Sequence, residues 1–152
     1  AEWADEGDEQ QYEPLLAAAE RAEIQTVIPV DAPEFQNPKS MQQAICGYCE
    51  RQALDVPQTK ADLTRVVLQS LAAKYAEATQ ALNAMLPEPI KKLHIIGGGS
   101  QNKLLNRLTQ QALGIPVEAG PVEATAIGNI LTQALAKGEV ADIHEMRSIA
   151  IV

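Results

Sequence analysis

The chain has 152 residues, of which 46% are hydrophobic and only 3% aromatic, and its formal net charge is −8. This length favours one domain, and the shortage of aromatic residues predicts a core built from Ala, Leu, Ile and Val. The same two properties argue against a surface that binds nucleic acid through stacked bases or a basic patch.

The negative charge is concentrated at the N-terminus. Residues 1–24 contain eight acidic residues and one basic residue, Arg21. We interpret this region as a solvated acidic lead-in, with a docking tail for a basic partner as the alternative. Strong helix formers predict a short helix over residues 13–24. The first residue is Ala1 rather than Met, which fits a processed product or a piece of a longer chain.

Three prolines between Thr26 and Pro38 predict an extended, loop-rich connection with at most one short strand. Asn37 followed by Pro38 is typical of a helix start, so we predict a helix from there to about residue 54. Thr59 and Asp62 have the spacing of a capping box, which predicts a longer helix of nearly 24 residues that ends before Pro87.

Cys46 and Cys49 form a Cys-x-x-Cys pair, which can indicate redox chemistry or half of a zinc site. Both lie on the apolar stripe of the helix predicted after Pro38. The two histidines, His94 and His144, are distant in sequence and lack ligand-like spacing. We therefore interpret the cysteines as buried core residues and assign no metal site.

From Lys91 onward the pattern changes to strand, helix, strand, helix. We predict strands at residues 93–96 and 115–119, and helices at 102–113 and 123–137 that end at Gly114 and Gly138. A right-handed crossover would make the strands parallel and would place a ligand at their carboxyl ends. The sequence therefore predicts an α/β fold in which helices dominate. It contains no apolar stretch long enough to span a bilayer and no signal-peptide pattern, which predicts a soluble protein.

Three consecutive glycines, Gly97, Gly98 and Gly99, stand where the first of these strands turns into a helix. Glycine lets a ligand approach the backbone, and a helix start offers unpaired N–H groups and a positive dipole end, so this turn suits a nucleotide phosphate. A lysine-containing phosphate loop is absent. The dinucleotide fingerprint is matched at two glycines but has Asn102 at the third position. A simple tight turn, with Ser100 capping the next helix, is the remaining alternative.

Segments at residues 93–102, 104–106 and 114–130 closely resemble the C-terminal nucleotide-binding half of the FGGY family of carbohydrate kinases. Their strongest motifs are Gly-Gly-Gly-x-x-Asn and the downstream Gly-Pro-Val-Glu-Ala-Thr. The segment Phe-Gln-Asn-Pro at residues 35–38 and the long helix at 62–86 also fit the branch of that family that phosphorylates L-rhamnulose. The resemblance covers about residues 24–149.

The resemblance implies the actin-like ATPase fold, in which two RNase-H-like domains clamp ATP and the C-terminal one supplies the adenosine pocket. We accordingly divide the chain into the lead-in, residues 1–24, and part of the C-terminal domain, residues 25–152. Gly98 and Asn102 resemble the positions that meet the nucleotide, with Gly97 and Gly99 shaping the loop. Asn37 resembles a further nucleotide-contacting asparagine, and its alternative role is a helix N-cap.

In that family the aspartate base and most sugar contacts lie upstream of the matching region, so we assign no catalytic residue to this chain. The resemblance implies a cytoplasmic kinase that uses ATP and Mg, the latter held mainly outside this chain, to convert L-rhamnulose to L-rhamnulose 1-phosphate. Its expected partners are the sugar, ATP and the N-terminal domain of the same enzyme, with neither nucleic acid nor membrane. We expect this chain alone to be inactive. The alternatives are a non-catalytic nucleotide-binding or interaction module of the same fold and a dinucleotide-dependent enzyme.

Overall fold

The computed structural model describes residues 12–150, so the first part of the predicted acidic lead-in lies outside the described residues. Within this range the chain forms six α-helices, two short 3-10 turns and two strands. The helices and strands are, in order, α1 Tyr12–Arg21, α2 Met41–Arg51, α3 Lys60–Asn83, β1 Leu93–Ile95, α4 Lys103–Leu113, β2 Val117–Ala119, α5 Ala124–Ala136 and α6 Ile143–Ala150. No helix among the described residues is long and apolar enough to cross a membrane.

Helix α3 is the central element, because both α1 and α4 pack against it. Its start confirms the predicted capping box: the Thr59 side chain accepts from the Asp62 amide, and the Asp62 carboxylate accepts from the Thr59 amide. The middle of α3 contributes Leu68 and Ala72 to a core that it shares with α1 and α4. The buried members from those two helices are Ala19, Leu104, Leu105 and Leu108.

A second core lies at the N-terminal half of α3 and is closed by α2 and the segment before it. Its buried members are Ile28, Phe35, Ile45, Cys49, Leu63 and Val66. The segment contains no strand among its described residues; instead the 3-10 turn Pro33–Phe35 inserts Phe35 into this core. The Ile28 amide is satisfied by the Ser70 hydroxyl at 3.0 Å rather than by a neighbouring strand.

The predicted start of α2 at Asn37 was wrong. The helix begins at Met41, and its N-cap is Ser40, whose side chain accepts from the Gln43 amide at 3.2 Å. Serine caps a helix as well as asparagine does. Residues 36–39 instead connect the 3-10 turn Pro33–Phe35 to the N-cap of α2.

The Cys-x-x-Cys pair lies on α2, with Cys49 buried in the second core and Cys46 half-buried beside the Pro57 carbonyl. Both thiols are free. Burial is the main cause that raises the pKa of each thiol above its ordinary value, which lowers the fraction of reactive thiolate. The buried position of Cys49 confirms its interpretation as a core residue.

The alternation of strands and helices after Lys91 is confirmed. Strands β1 and β2 are parallel, with Leu93 opposite Val117 and Ile95 opposite Ala119, and α4 forms the crossover between them. Helix α4 ends at Gly114, which has φ of +69° as a left-handed C-cap. Helices α5 and α6 pack against each other.

Candidate functional site

The carboxyl ends of β1 and β2 meet directly. The Gly120 amide donates to the Ile95 carbonyl at 2.8 Å, and the Gly97 amide donates to the Pro121 carbonyl at 3.3 Å. A Cβ on Gly120 would lie 2.8 Å from the Ile96 side chain, so glycine is needed for this close approach. The two glycine-containing turns therefore form one continuous edge at the carboxyl ends of the strands, where the sequence predicts a ligand site.

The turn after β1 has a conformation that favours glycine. Gly97 has φ of +82° and ψ of −171°, a region that is almost exclusive to glycine. The chain then enters the 3-10 turn Gly98–Gln101. The Ser100 amide and hydroxyl both donate to the Gly97 carbonyl, at 3.0 and 2.7 Å. We call residues Gly97 to Asn102 the glycine loop.

Gly98 and Gly99 differ from Gly97 because nothing in this chain's own packing requires them to be glycine. Their φ values lie outside the left-handed region, and a Cβ on either would meet no atom within 4 Å. No hydrogen bond from either amide is found among residues 12–150. Two exposed amides beside open space are what a backbone site for an anion needs.

Asn102 has a definite structural role. It is buried, its Oδ1 accepts from the Leu105 amide at 2.9 Å as the N-cap of α4, and its Nδ2 donates to the Tyr12 hydroxyl at 3.2 Å. The alternative that Ser100 caps this helix was wrong, because the Ser100 hydroxyl is used within the turn. The nucleotide contact of Asn102 stays a prediction.

Asn37 and the glycine loop belong to different parts of the fold. Asn37 is exposed in the segment before α2, next to the second core, whereas the loop belongs to the region of α1 and α4. No hydrogen bond or ion pair among the described residues joins Asn37 to the loop. Its nucleotide contact also stays a prediction.

The sheet that leads into the loop carries an exposed charged group. Glu118, in the middle of β2, forms an ion pair with Lys92 at 2.6 Å and lies 3.8 Å from the His94 ring nitrogen Nδ1. The hydrogen bond from Lys92 is the main cause that holds the pKa of Glu118 below its ordinary value. Because Glu118 precedes the end of β2, it is not the strand-end acid that binds ribose in dinucleotide folds.

Sequence reasoning missed two side chains that hydrogen-bond to the loop, Tyr12 and Asn106. Asn106 donates from Nδ2 to the Ser100 carbonyl at 2.8 Å. The signal for Asn106 was the spacing of four residues from Asn102, which puts both side chains on one face of α4.

The conformation of Gly97 leads to a first prediction. Gly97→Ala should lower the free energy of unfolding by about 1–3 kcal/mol, because alanine must adopt the same strained backbone region. Gly98→Ala is the matched control and should change stability little, since its Cβ has open space and an ordinary φ. Urea unfolding of the unsubstituted protein and the two variants measures the differences in the free energy of unfolding. Equal stability of the two variants would contradict the strain argument.

Comparison with known proteins gives the family. Residues 1–137 match the profile described as the FGGY family of carbohydrate kinases, C-terminal domain. A rhamnulokinase of Bacteroides thetaiotaomicron is 44% identical over 139 residues, which is 91% of this chain and 29% of that protein. One of Pectobacterium carotovorum is 44% identical over 133 residues, 88% of this chain and 27% of that protein.

A rhamnulokinase of Bacillus subtilis is 39% identical over 139 residues, again 91% of this chain and 29% of that protein. The chain thus spans less than a third of the length of these relatives. The profile match extends over most of its residues, and it is the C-terminal domain of the family that is matched. The chain therefore belongs to the FGGY family of carbohydrate kinases.

Proposed function

We propose that this chain is the nucleotide-binding part of a longer kinase that transfers the γ-phosphate of ATP to L-rhamnulose, giving L-rhamnulose 1-phosphate and ADP. Support for a carbohydrate kinase comes from the family match, and support for L-rhamnulose from relatives named rhamnulokinase at 39–47% identity. The structural observation that carries the proposal is the glycine loop, which offers unpaired amides at the joined ends of two parallel strands.

The loop supports binding of the nucleotide phosphates in three ways. The amides of Gly98 and Gly99 have no partner among the described residues, the space beside them is open, and the N-terminus of α4 begins immediately afterwards. Amide donors and a positive helix end both favour a phosphate group. We propose that residues Gly97, Gly98 and Gly99 hold the phosphates, and that Asn102 and Asn37 make further contacts to the nucleotide.

Exposed apolar surface next to the loop supports a second, covering domain. Ile96, which directly precedes Gly97, is 56% exposed. In a parallel ladder alternate residues direct their backbone groups to opposite neighbours. Since Ile95 bonds to β2, the backbone groups of His94 face the outer edge of a sheet that has two strands within residues 12–150. Small open sheets need further strands or helices for stability.

We propose that the missing cover is the rest of the same polypeptide, in an RNase-H-like, actin-like ATPase arrangement whose N-terminal domain closes on ATP. The division of this chain at residue 24 belongs to the same proposal. Phosphoryl transfer needs positioned groups on both sides of the nucleotide. One wall of that cleft, without a base for the sugar hydroxyl, is expected to be inactive alone.

Among residues 12–150 no group of three or more His, Cys, Asp or Glu side chains could hold a metal ion. Mg²⁺ needs only one or two protein carboxylates beside the phosphates of the nucleotide, and we propose that these lie mainly in the rest of the enzyme. Two free thiols fit a reducing compartment, which supports a cytoplasmic enzyme.

An assay of the longer polypeptide tests this function. Release of ADP is measured with Mg-ATP and a panel of L-rhamnulose, xylulose, fuculose and glycerol. We expect the highest kcat/KM with L-rhamnulose, and no turnover by the 152-residue chain alone. A higher kcat/KM with another acceptor would overturn the assignment of L-rhamnulose as the substrate. Nucleotide binding without phosphate transfer to any acceptor would favour the alternative of a non-catalytic nucleotide-binding module.

A further inference from the structure

Asn106 is an unusual residue for its position on α4. It is half-buried in the first turn of the helix, and its Nδ2 donates to the Ser100 carbonyl at 2.8 Å. Its other polar atom, Oδ1, is buried and has no hydrogen-bond partner among the described residues. A buried acceptor without a partner lowers stability. A leucine of similar shape would avoid this cost but would leave the carbonyl of the buried Ser100 without its donor, so what asparagine supplies here is the bond to the glycine loop.

The bond from Asn106 completes a pattern in the glycine loop. The Gly97 carbonyl accepts from Ser100, the Gly99 carbonyl accepts from the Asn102 amide at 3.1 Å, and the Ser100 carbonyl accepts from Asn106. Carbonyl oxygens carry partial negative charge and would repel a phosphate. With these three oxygens engaged inside the chain, the loop presents the free amides of Gly98 and Gly99.

We infer that Asn106 is a positioning residue of the nucleotide site. It ties the Ser100 carbonyl to the body of α4 and thereby fixes the turn in which the Gly98 and Gly99 amides remain available to a phosphate. Asn106 itself does not touch the nucleotide. The inference rests on the proposed function, because it assumes that the loop binds the phosphates of ATP or ADP.

The test compares two substitutions that each remove a buried polar atom without a partner from α4. Asn106→Leu removes the donor to Ser100 together with the unpaired Oδ1. Thr109→Val is the matched control, because Thr109 is 0% exposed and its Oγ1 also lacks a partner, but it has no hydrogen bond to the loop. Both are made in the longer polypeptide. ADP binding is measured by calorimetry, and KM and kcat with ATP by initial rates.

For Asn106→Leu we expect the Kd for ADP and the KM for ATP to rise about tenfold, the loss typical of one well-placed hydrogen bond, while kcat changes much less. The melting temperature should change little, because removing the unpaired Oδ1 offsets the loss of the donor to the Ser100 carbonyl. Thr109→Val should keep or raise the melting temperature but leave Kd and KM unchanged. If leucine disturbs folding, Asn106→Ala is the second variant. It also removes the donor to Ser100, and its side chain is smaller than that of asparagine.

Each outcome decides the inference. An unchanged Kd in either Asn106 variant would overturn the positioning role while leaving the nucleotide site intact. A loss of affinity that only parallels a loss of melting temperature in both Asn106 variants would reduce Asn106 to a structural residue, which also overturns it. Absence of ADP binding by the unsubstituted polypeptide would instead refute the proposed function, and this inference with it.

Discussion

Gly98→Val should weaken ADP binding to the longer polypeptide by at least about tenfold, equivalent to ~1.4 kcal/mol, with little change in melting temperature. The structure separates these effects. A Cβ at position 98 meets no atom within 4 Å apart from its chain neighbours, and the φ of Gly98 is not in the left-handed region. The isopropyl group of valine therefore extends into the open space in which we place the phosphates, and it blocks the approach that glycine permits.

The matched control is Ala81→Val, which likewise introduces a valine, at an exposed position of α3. A β-branched residue costs an exposed helix about half a kcal/mol, and nucleotide affinity should not change. Calorimetry with ADP measures binding, and thermal unfolding measures stability. If Gly98→Val bound ADP as tightly as the unsubstituted protein, the phosphate site would lie elsewhere, even if the kinase assignment survived.

The location of the glycine loop could be predicted from sequence because its determinants are local. Strand-like residues followed by glycines and a helical repeat already fix the order of elements, and Gly114 and Gly138 end their helices through left-handed conformations that glycine favours. The capping box at Thr59 is equally local. Parallel pairing of β1 with β2 then follows from the handedness of the crossover, which brings the two turns together.

The side-chain network of the loop could not be predicted, because its partners come from distant parts of the chain or from competing caps. Asn102 donates to Tyr12, which is 90 residues away in sequence. Ser100 and Asn102 are both good helix caps, and only the formation of the 3-10 turn decides that Asn102 takes this role. The start of α2 shows the same difficulty, since Asn37 and Ser40 are rival caps and the burial of Phe35 chooses between them.

This rivalry matters for Asn102, because a cap and a ligand contact predict different consequences of substitution. The Oδ1 atom is committed to the Leu105 amide in the structure, and the side chain is buried. Among the described residues, Nδ2 donates only to the hydroxyl of Tyr12, at 3.2 Å. Because Tyr12 is exposed, Nδ2 is the atom that could donate to a nucleotide instead. A useful substitution keeps the cap and changes the electrostatics at the site.

Asn102→Asp meets this requirement. Aspartate caps a helix as well as asparagine does, and its charge is favourable at the N-terminus of α4, so we expect stability to change by less than about 1 kcal/mol. The same charge faces the proposed phosphates. A repulsion of ~2 kcal/mol, modest for like charges near a protein surface, would raise the Kd for ADP about thirtyfold. Asn102→Ala removes the cap of α4 and should lower stability by about 1 kcal/mol. It should also weaken ADP binding, but through the lost contact and not through repulsion.

Salt distinguishes repulsion from lost contacts. The Debye length falls as ionic strength rises, from about 10 Å at 0.1 M to about 3 Å at 1 M. Added salt should therefore weaken the repulsion and recover part of the affinity for ADP that is lost in Asn102→Asp. Gly98→Val should show no such recovery relative to the unsubstituted protein, because its effect is steric. Calorimetric titrations with ADP at low and high salt measure both. If Asn102→Asp bound ADP normally at low salt, Asn102 would act solely as the cap of α4 and the phosphates would bind away from it.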